Sequence, residues 1–213
     1  RALHVYVSED CREQDALVAA ADAASTPCAF ATPDDVARMA GVKTPAGVVA
    51  TARRNEPIPL ARLLSEHAFA VAFDAVQDPG NVGAIARTAA ALGVRALIFT
   101  PGTADATAPK SLRASAGALI DAPYAEVASL DDLASALAPL ARPIVVADTR
   151  GGEHPRALAL LKSGVFVFGN EGAGVRLGAV EGPVVRATIP LEEGTESLNV
   201  AAAAAILLDR RRG

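Results

Sequence analysis

The chain has 213 residues, 51% hydrophobic and 21% charged, enough for one large domain or two modest ones with a sizeable core. Aromatics make up only 4% and tryptophan is absent, which argues against stacking platforms for single-stranded nucleic acid. A net charge of −4 and a pI near 5.4 exclude binding to nucleic acid by overall charge, so such a partner must be gripped by a local patch.

Residues 3–7 (LHVYV) read as a short buried strand, and CREQDALVAAADAAS after them has the apolar spacing of a helix. PCAFAT is a second strand and PDDVARMAG a short helix, opened by Pro33 and two acids and closed by Gly41. AGVVATAR gives a third strand. RRNEPIPLARLL, with Pro57 and Pro59, reads as a linker. The chain is therefore expected to divide into a module over 1–54, a linker over 55–66 and a larger domain over 67–213.

From there strands and helices alternate. FAVAFD (69–74) is a strand, and DPGNVGAIARTAAALGV (78–94) is a glycine-containing turn with the helix after it. ALIFT is a strand, PKSLRASAGALI a helix and PYAEVA a short strand. SLDDLASALAPL is a helix with Ser129 as its cap and Asp131 and Asp132 in the first turn. PIVVAD (143–148), VFVFG (165–169) and VVRATIP (184–190) are three more strands, and SLNVAAAAAILLDRRR closes the chain as a helix with a basic last turn. Short apolar strands alternating with helices predict an α/β fold with a mostly parallel sheet covered on both faces.

Cys11 and Cys28 are expected to be reduced thiols; with the scattered His4, His67 and His154 they form no metal-ligand pattern, and no metal is expected. No run approaches the roughly 20 apolar residues of a membrane span. No signal peptide is visible, although the chain opens on Arg1 and an earlier segment is expected. The expectation is a soluble cytoplasmic protein. Arg53–Arg54, Lys110 with Arg113, and Arg210–Arg212 are the candidate basic patches, the last reading as solvated surface.

In such a sheet, ligands sit beyond the carboxyl ends of the strands. Three strands end in unusual loops, DAVQDPGNVGAIAR, FGNEGAGV and IPLEEGTESLN. Glycines and polar residues gathered at several strand ends mark a site, because bare backbone lets a ligand approach closely. The first loop is not a dinucleotide fingerprint. Gly80 and Gly83 stand as G-x-x-G, no Walker lysine follows, and the next strand ends in Thr100 and Pro101 rather than an acid. On the helix, Ile85, Ala89 and Leu92 share one face and Arg87 lies well away from it.

NVGAIAR fits N-x-G-x-x-x-R, and with FGNEGAGV and IPLEEGTESLNVAAAAAILL it resembles the three signatures of the SpoU (TrmH) family of RNA ribose 2′-O-methyltransferases, in the SPOUT superfamily. The resemblance spans roughly residues 69–212. It implies a sheet with a deep carboxyl-terminal trefoil knot, S-adenosylmethionine as methyl donor, an RNA substrate and a homodimer. Residues 1–54 resemble, more weakly, the latter part of an L30e-like RNA-binding module.

The resemblance also implies roles. Gly169, Ile189 and Leu198 line the donor pocket, with Thr149, Leu191 and Ser197 near it. Arg87 serves catalysis; since a guanidinium stays protonated, a charge role on phosphate and developing alkoxide is preferred to a base. Asn81 and Asn199 fix the loops and help position substrate or Arg87. Glu171 braces the knot and is a second candidate for proton handling. Arg113 and Ser115 are candidate RNA contacts. Ribosomal RNA, 23S in particular, is the favoured substrate; transfer RNA and a non-catalytic RNA-binding or assembly factor are the alternatives.

Overall fold

The computed structural model describes residues 2–148, 151–178 and 182–212, which fall into two compact units, Arg1–Arg54 and Asn55–Gly213. In the first, β1 (Ala2–Ser8) pairs parallel with β2 (Cys28–Ala31) and antiparallel with β3 (Val48–Ala52), in the order β2-β1-β3. Helices α1 (Gln14–Ala23) and α2 (Pro33–Ala40) bring Ala21 and Val36 into a small core with Val7. α2 has the ends its sequence predicts. Thr32 accepts the Asp35 N–H, Pro33 occupies the first turn, and Gly41 closes the helix at φ 63°.

The second unit is a six-stranded sheet, parallel throughout, in the order β6-β5-β4-β8-β7-β9. Its strands are β4 (Phe69–Asp74), β5 (Ala96–Phe99), β6 (Tyr124–Glu126), β7 (Ile144–Asp148), β8 (Gly164–Gly169) and β9 (Val184–Thr188). The helices are α3 (Leu60–Glu66), α4 (Pro79–Ala91), α5 (Pro109–Ala114), α6 (Leu130–Leu137) and α7 (Val200–Arg210). Strand residues alternate between two cores. Val71, Phe73, Phe166 and Phe168 join Ile85 of α4 and Leu207 of α7 on one face; Ala70, Ala72, Val165 and Val167 join Leu63 of α3 and Leu133 of α6 on the other. Because both faces are buried, the strands read as unbroken apolar runs.

The structure departs from the predicted elements in places. The second half of the expected linker is α3, with Leu63 and Leu64 buried. The helix expected over PKSLRASAGALI stops at Ala114, because Ala116 and Gly117 take left-handed backbone at φ 47° and 93°. α6 tightens into a 3₁₀ turn at Ala138–Leu140, where Pro139 supplies no N–H. A 3₁₀ segment, Pro155–Leu160, was not anticipated; it buries Leu158. Among the described residues no helix is long and apolar enough to cross a membrane, and no cluster of metal-ligating side chains is present.

β4 and β8 are neighbours, with Asp74 opposite Gly169 at their carboxyl ends. The chain leaves β4 toward β5 on one side and leaves β8 toward β9, beyond β7, on the other. Such a divergence opens a crevice at the strand ends.

Candidate active site

The first loop begins with Ala75, a non-glycine residue at φ 53° whose N–H donates to Thr100 Oγ1 at 3.3 Å. This left-handed turn leads to Asp78, the cap of α4, whose Oδ1 accepts the Gly80 N–H at 2.7 Å. Lys110 Nζ also lies 2.7 Å from that oxygen, and this partner, with the Gly80 N–H, holds the Asp78 carboxyl below its usual range. Gly83, the glycine of N-x-G-x-x-x-R, owes its place to clearance. A Cβ there would lie 2.3 Å from the Ser111 carbonyl oxygen and 2.6 Å from Ala114 Cβ, so α4 and α5 touch through bare backbone.

The second loop doubles back over the end of β8. At Gly169 a Cβ would sit 2.4 Å from the Gly174 carbonyl. Asn170 holds the turn, its Oδ1 accepting the Gly172 and Ala173 N–H groups and its Nδ2 donating to Ala75 O at 3.1 Å. The third loop, after β9, runs to Asn199, whose Oδ1 caps α7 through the Ala201 N–H.

Three predicted residues come together across these loops. Asn81 Nδ2 donates to Glu171 Oε1 at 2.7 Å, and Asn81 Oδ1 accepts from Asn199 Nδ2 at 3.1 Å. The chain of bonds has one direction, from the first turn of α7 through both amides to the carboxylate. Partial burial pushes the Glu171 carboxyl up, but the Asn81 amide and the N–H groups of Glu171, Gln77 and Asp78 outweigh it and hold the group below its usual range. Glu171 thus joins the second loop to the first through the Asn81 amide and the Gln77 N–H. Its partners are an amide and backbone; no arginine is among them in the described residues.

Arg87 is exposed on α4, away from the buried Ile85 and Ala89, and its side chain makes no hydrogen bond or ion pair among the described residues. Asn81 is bonded to Glu171 and Asn199 and makes no side-chain hydrogen bond to Arg87 among the described residues. Arg113 is exposed in the last turn of α5. Ser115 is fully buried; its hydroxyl donates to Leu112 O at 2.8 Å and sits against Leu119 N, so it presents nothing to RNA in this conformation. The close approach at Gly83 is what buries it.

Of the residues expected to hold the donor, Gly169 is buried at the end of β8 and Ile189 is half-buried against the core. Leu191 and Leu198 are each 37% exposed, and Ser197 is exposed beside them in the third loop. Thr149 lies outside the described residues. Gly169 is thus a side-chain-free strand end packed beneath its own loop, and the open leucines stand in the loop after β9. Sequence reasoning missed two residues, Asp74 and Asn170, which tie the second loop to β4. An acid closing the otherwise apolar FAVAFD was the available signal.

Residues 68–209 match the SpoU rRNA Methylase family. The chain is 33% identical over 181 residues to an uncharacterized tRNA/rRNA methyltransferase of Synechocystis, covering 83% of this chain and 64% of that protein. It is 37% identical over 141 residues to the 23S rRNA (guanosine(2553)-2′-O)-methyltransferase RlmP of Bacillus subtilis, covering 66% of this chain and 56% of that one. The chain thus spans less than two thirds of the length of these relatives. Its fold is similar to an AdoMet-bound rRNA methyltransferase from Sinorhizobium meliloti, with a TM-score of 0.78 and 26% identity over 99% of this chain and 79% of the other. It is also similar to the SpoU methyltransferase AviRb of Streptomyces viridochromogenes in complex with AdoMet, at a TM-score of 0.77 and 25% identity over 99% and 82% of the two chains. With the three loops joined through Asn81, and with the match running from the start of β4 to the end of α7, the chain belongs to the SpoU rRNA Methylase family.

Proposed function

We propose that the protein is an S-adenosylmethionine-dependent RNA ribose 2′-O-methyltransferase acting on ribosomal RNA, 23S in particular. The observation that carries this reading is the hydrogen-bonded line Glu171–Asn81–Asn199, which draws all three signature loops to one place at the carboxyl end of the sheet. Relatives named for 23S rRNA ribose methylation support the substrate. Gly169, Ile189, Leu191, Ser197 and Leu198, with Thr149, hold the donor. Bound there, the donor supplies a methyl group on a positively charged sulfur.

The chain's own residues do the rest. Asn81, Glu171 and Asn199 keep the loops in register so that donor and ribose meet in line. Arg87 and Arg113 take RNA phosphate, and Arg87 stabilises the negative charge that builds on the 2′ oxygen in the transition state. The carboxyl-terminal part forms the family's trefoil knot, the protein works as a homodimer, and residues 1–54 serve as an L30e-like RNA-binding module ahead of a catalytic domain that takes in α3 as well as residues 67–213.

The test is methyl incorporation from labelled S-adenosylmethionine into purified ribosomal and transfer RNA, followed by mapping of the ribose. Incorporation into transfer RNA alone would reassign the substrate. Donor binding without methylation of either RNA would favour a non-catalytic RNA-binding factor.

A further inference from the structure

Asp74 is a buried carboxylate with no part in the scheme above. It ends β4 opposite Gly169 and is only 2% exposed. Both of its oxygens are occupied. Oδ2 accepts the backbone N–H of Arg176 at 2.7 Å, while Oδ1 accepts from Arg176 Nη2 at 3.1 Å and lies 3.2 Å from Thr100 Oγ1. Arg176 is the residue at which the second loop, having folded back over Gly169, resumes its course. The same strand end grips the start of that loop, where Asn170 Nδ2 reaches Ala75 O.

The loop is therefore held at its entrance by Ala75 and at its exit by Asp74. Only its middle, around Glu171, is tied to the helix that carries Arg87. A charged acceptor buried beneath a backbone N–H is a strong and geometrically demanding tether. Removing it frees the loop's exit at Val175 and Arg176, next to Gly169, while Gly172, Ala173 and Gly174 keep their bonds to Asn170.

We infer that Asp74 is a positioning residue for the methyl donor, acting through Arg176 to hold the 170–176 loop closed over Gly169 and so setting donor affinity rather than turnover. The inference rests on the methyltransferase reading. Asp74 makes no hydrogen bond to Asn81, Glu171, Asn199 or Arg87 among the described residues, and Glu171 keeps its own bonds to Asn81 and the Gln77 N–H, so the loss of Asp74 bears first on the loop's exit beside Gly169.

The experiment compares parent, Asp74→Asn and Arg176→Ala by S-adenosylmethionine calorimetry, by steady-state methylation, and by hydrogen exchange of the 170–176 segment without donor. Asp74→Asn keeps an acceptor but loses the charge. It should weaken donor binding about tenfold, raise the donor KM in parallel, and leave kcat at saturating donor within about threefold. Arg176→Ala retains the backbone N–H and should lose about threefold in affinity. Both should exchange faster than the parent over 170–176. If Asp74→Asn fails to fold, Arg176→Ala decides the matter by the same readouts. Unchanged donor affinity and exchange in a folded variant overturn the proposal, as does a fall in kcat with KM unmoved. A parent protein that binds no S-adenosylmethionine overturns the methyltransferase reading and the donor half of this one; exchange over 170–176 then still decides whether Asp74 holds the loop.

Discussion

Asn81 and Glu171 stand 90 residues apart in sequence and 2.7 Å apart in space, amide to carboxylate. It is the shorter of the two hydrogen bonds that join predicted residues among those described, and its donor is the amide.

Asn81→Asp turns that donor into a second carboxylate. In the parent, Glu171 titrates below the ordinary glutamate value of 4.5, so its stabilisation is present above that pH and is lost as pH falls through the folded value. In the variant, one acid of the pair has its folded pKa raised; that stabilisation is complete below the unfolded value and lost as pH rises through the folded one. The variant's deficit against the parent should be largest near about pH 8 and smaller near about pH 5, as read by thermal melts. A deficit that grows on acidification would show that the two groups do not face each other.

Arg87→Ala should leave melting and donor affinity nearly unchanged, because the side chain is exposed and unbonded among the described residues. Turnover should fall on the order of 10²–10³, the usual cost of losing an electrostatic partner of a transition state. Arg87→Lys should recover little if the planar fork matters. Single-turnover methylation of the mapped RNA, beside donor calorimetry, reads both. Parental turnover in Arg87→Ala would remove the catalytic assignment.

Leu198→Arg places a charge where an apolar wall is proposed. Leu198 is 37% exposed, so the fold should survive while S-adenosylmethionine binding disappears. Calorimetry together with a circular dichroism melt separates lost binding from lost structure, and saturable binding with parental affinity would take Leu198 out of the donor site.

Two glycines three residues apart should behave differently. Gly83→Ala forces a Cβ to within 2.3 Å of a backbone carbonyl and should destabilise the protein by about 1–3 kcal/mol. At Gly80 the nearest atoms, 3.1 and 3.2 Å away, are the Asp78 carboxylate and the methylene end of Lys110, which can shift. Gly80→Ala should stay within about 1 kcal/mol of the parent. Urea denaturation of both variants checks the contrast; equal losses would mean that α4 and α5 adjust freely.

Much of the architecture is legible in local pattern. Apolar runs such as FAVAF and VFVF announce buried parallel strands, and Ser129 caps α6 as its sequence predicts, accepting the Asp132 N–H at 3.1 Å. What stays hidden depends on partners distant in sequence. Ser115 sits in RASAG like a surface residue and is buried only because Gly83 admits the neighbouring helix. The proline pair before Leu60 masks a short helix that needs no side-chain cap. Asn81 and Asn199 are recognisable as motif letters, but neither their contact nor its direction, across 118 residues, can be read before the sheet is assembled.

The contact at Gly83 has a mechanical side. With no side chain between them, α4 and α5 have no layer of rotamers to slide on, so the helices move as a single block. Arg87 rides on one and Arg113 on the other. Under the roles proposed for them, the two phosphate contacts start from backbone positions fixed on one block, and only their side chains have still to be ordered. Less freedom is then lost when the strand docks than if each helix had to be arrested separately.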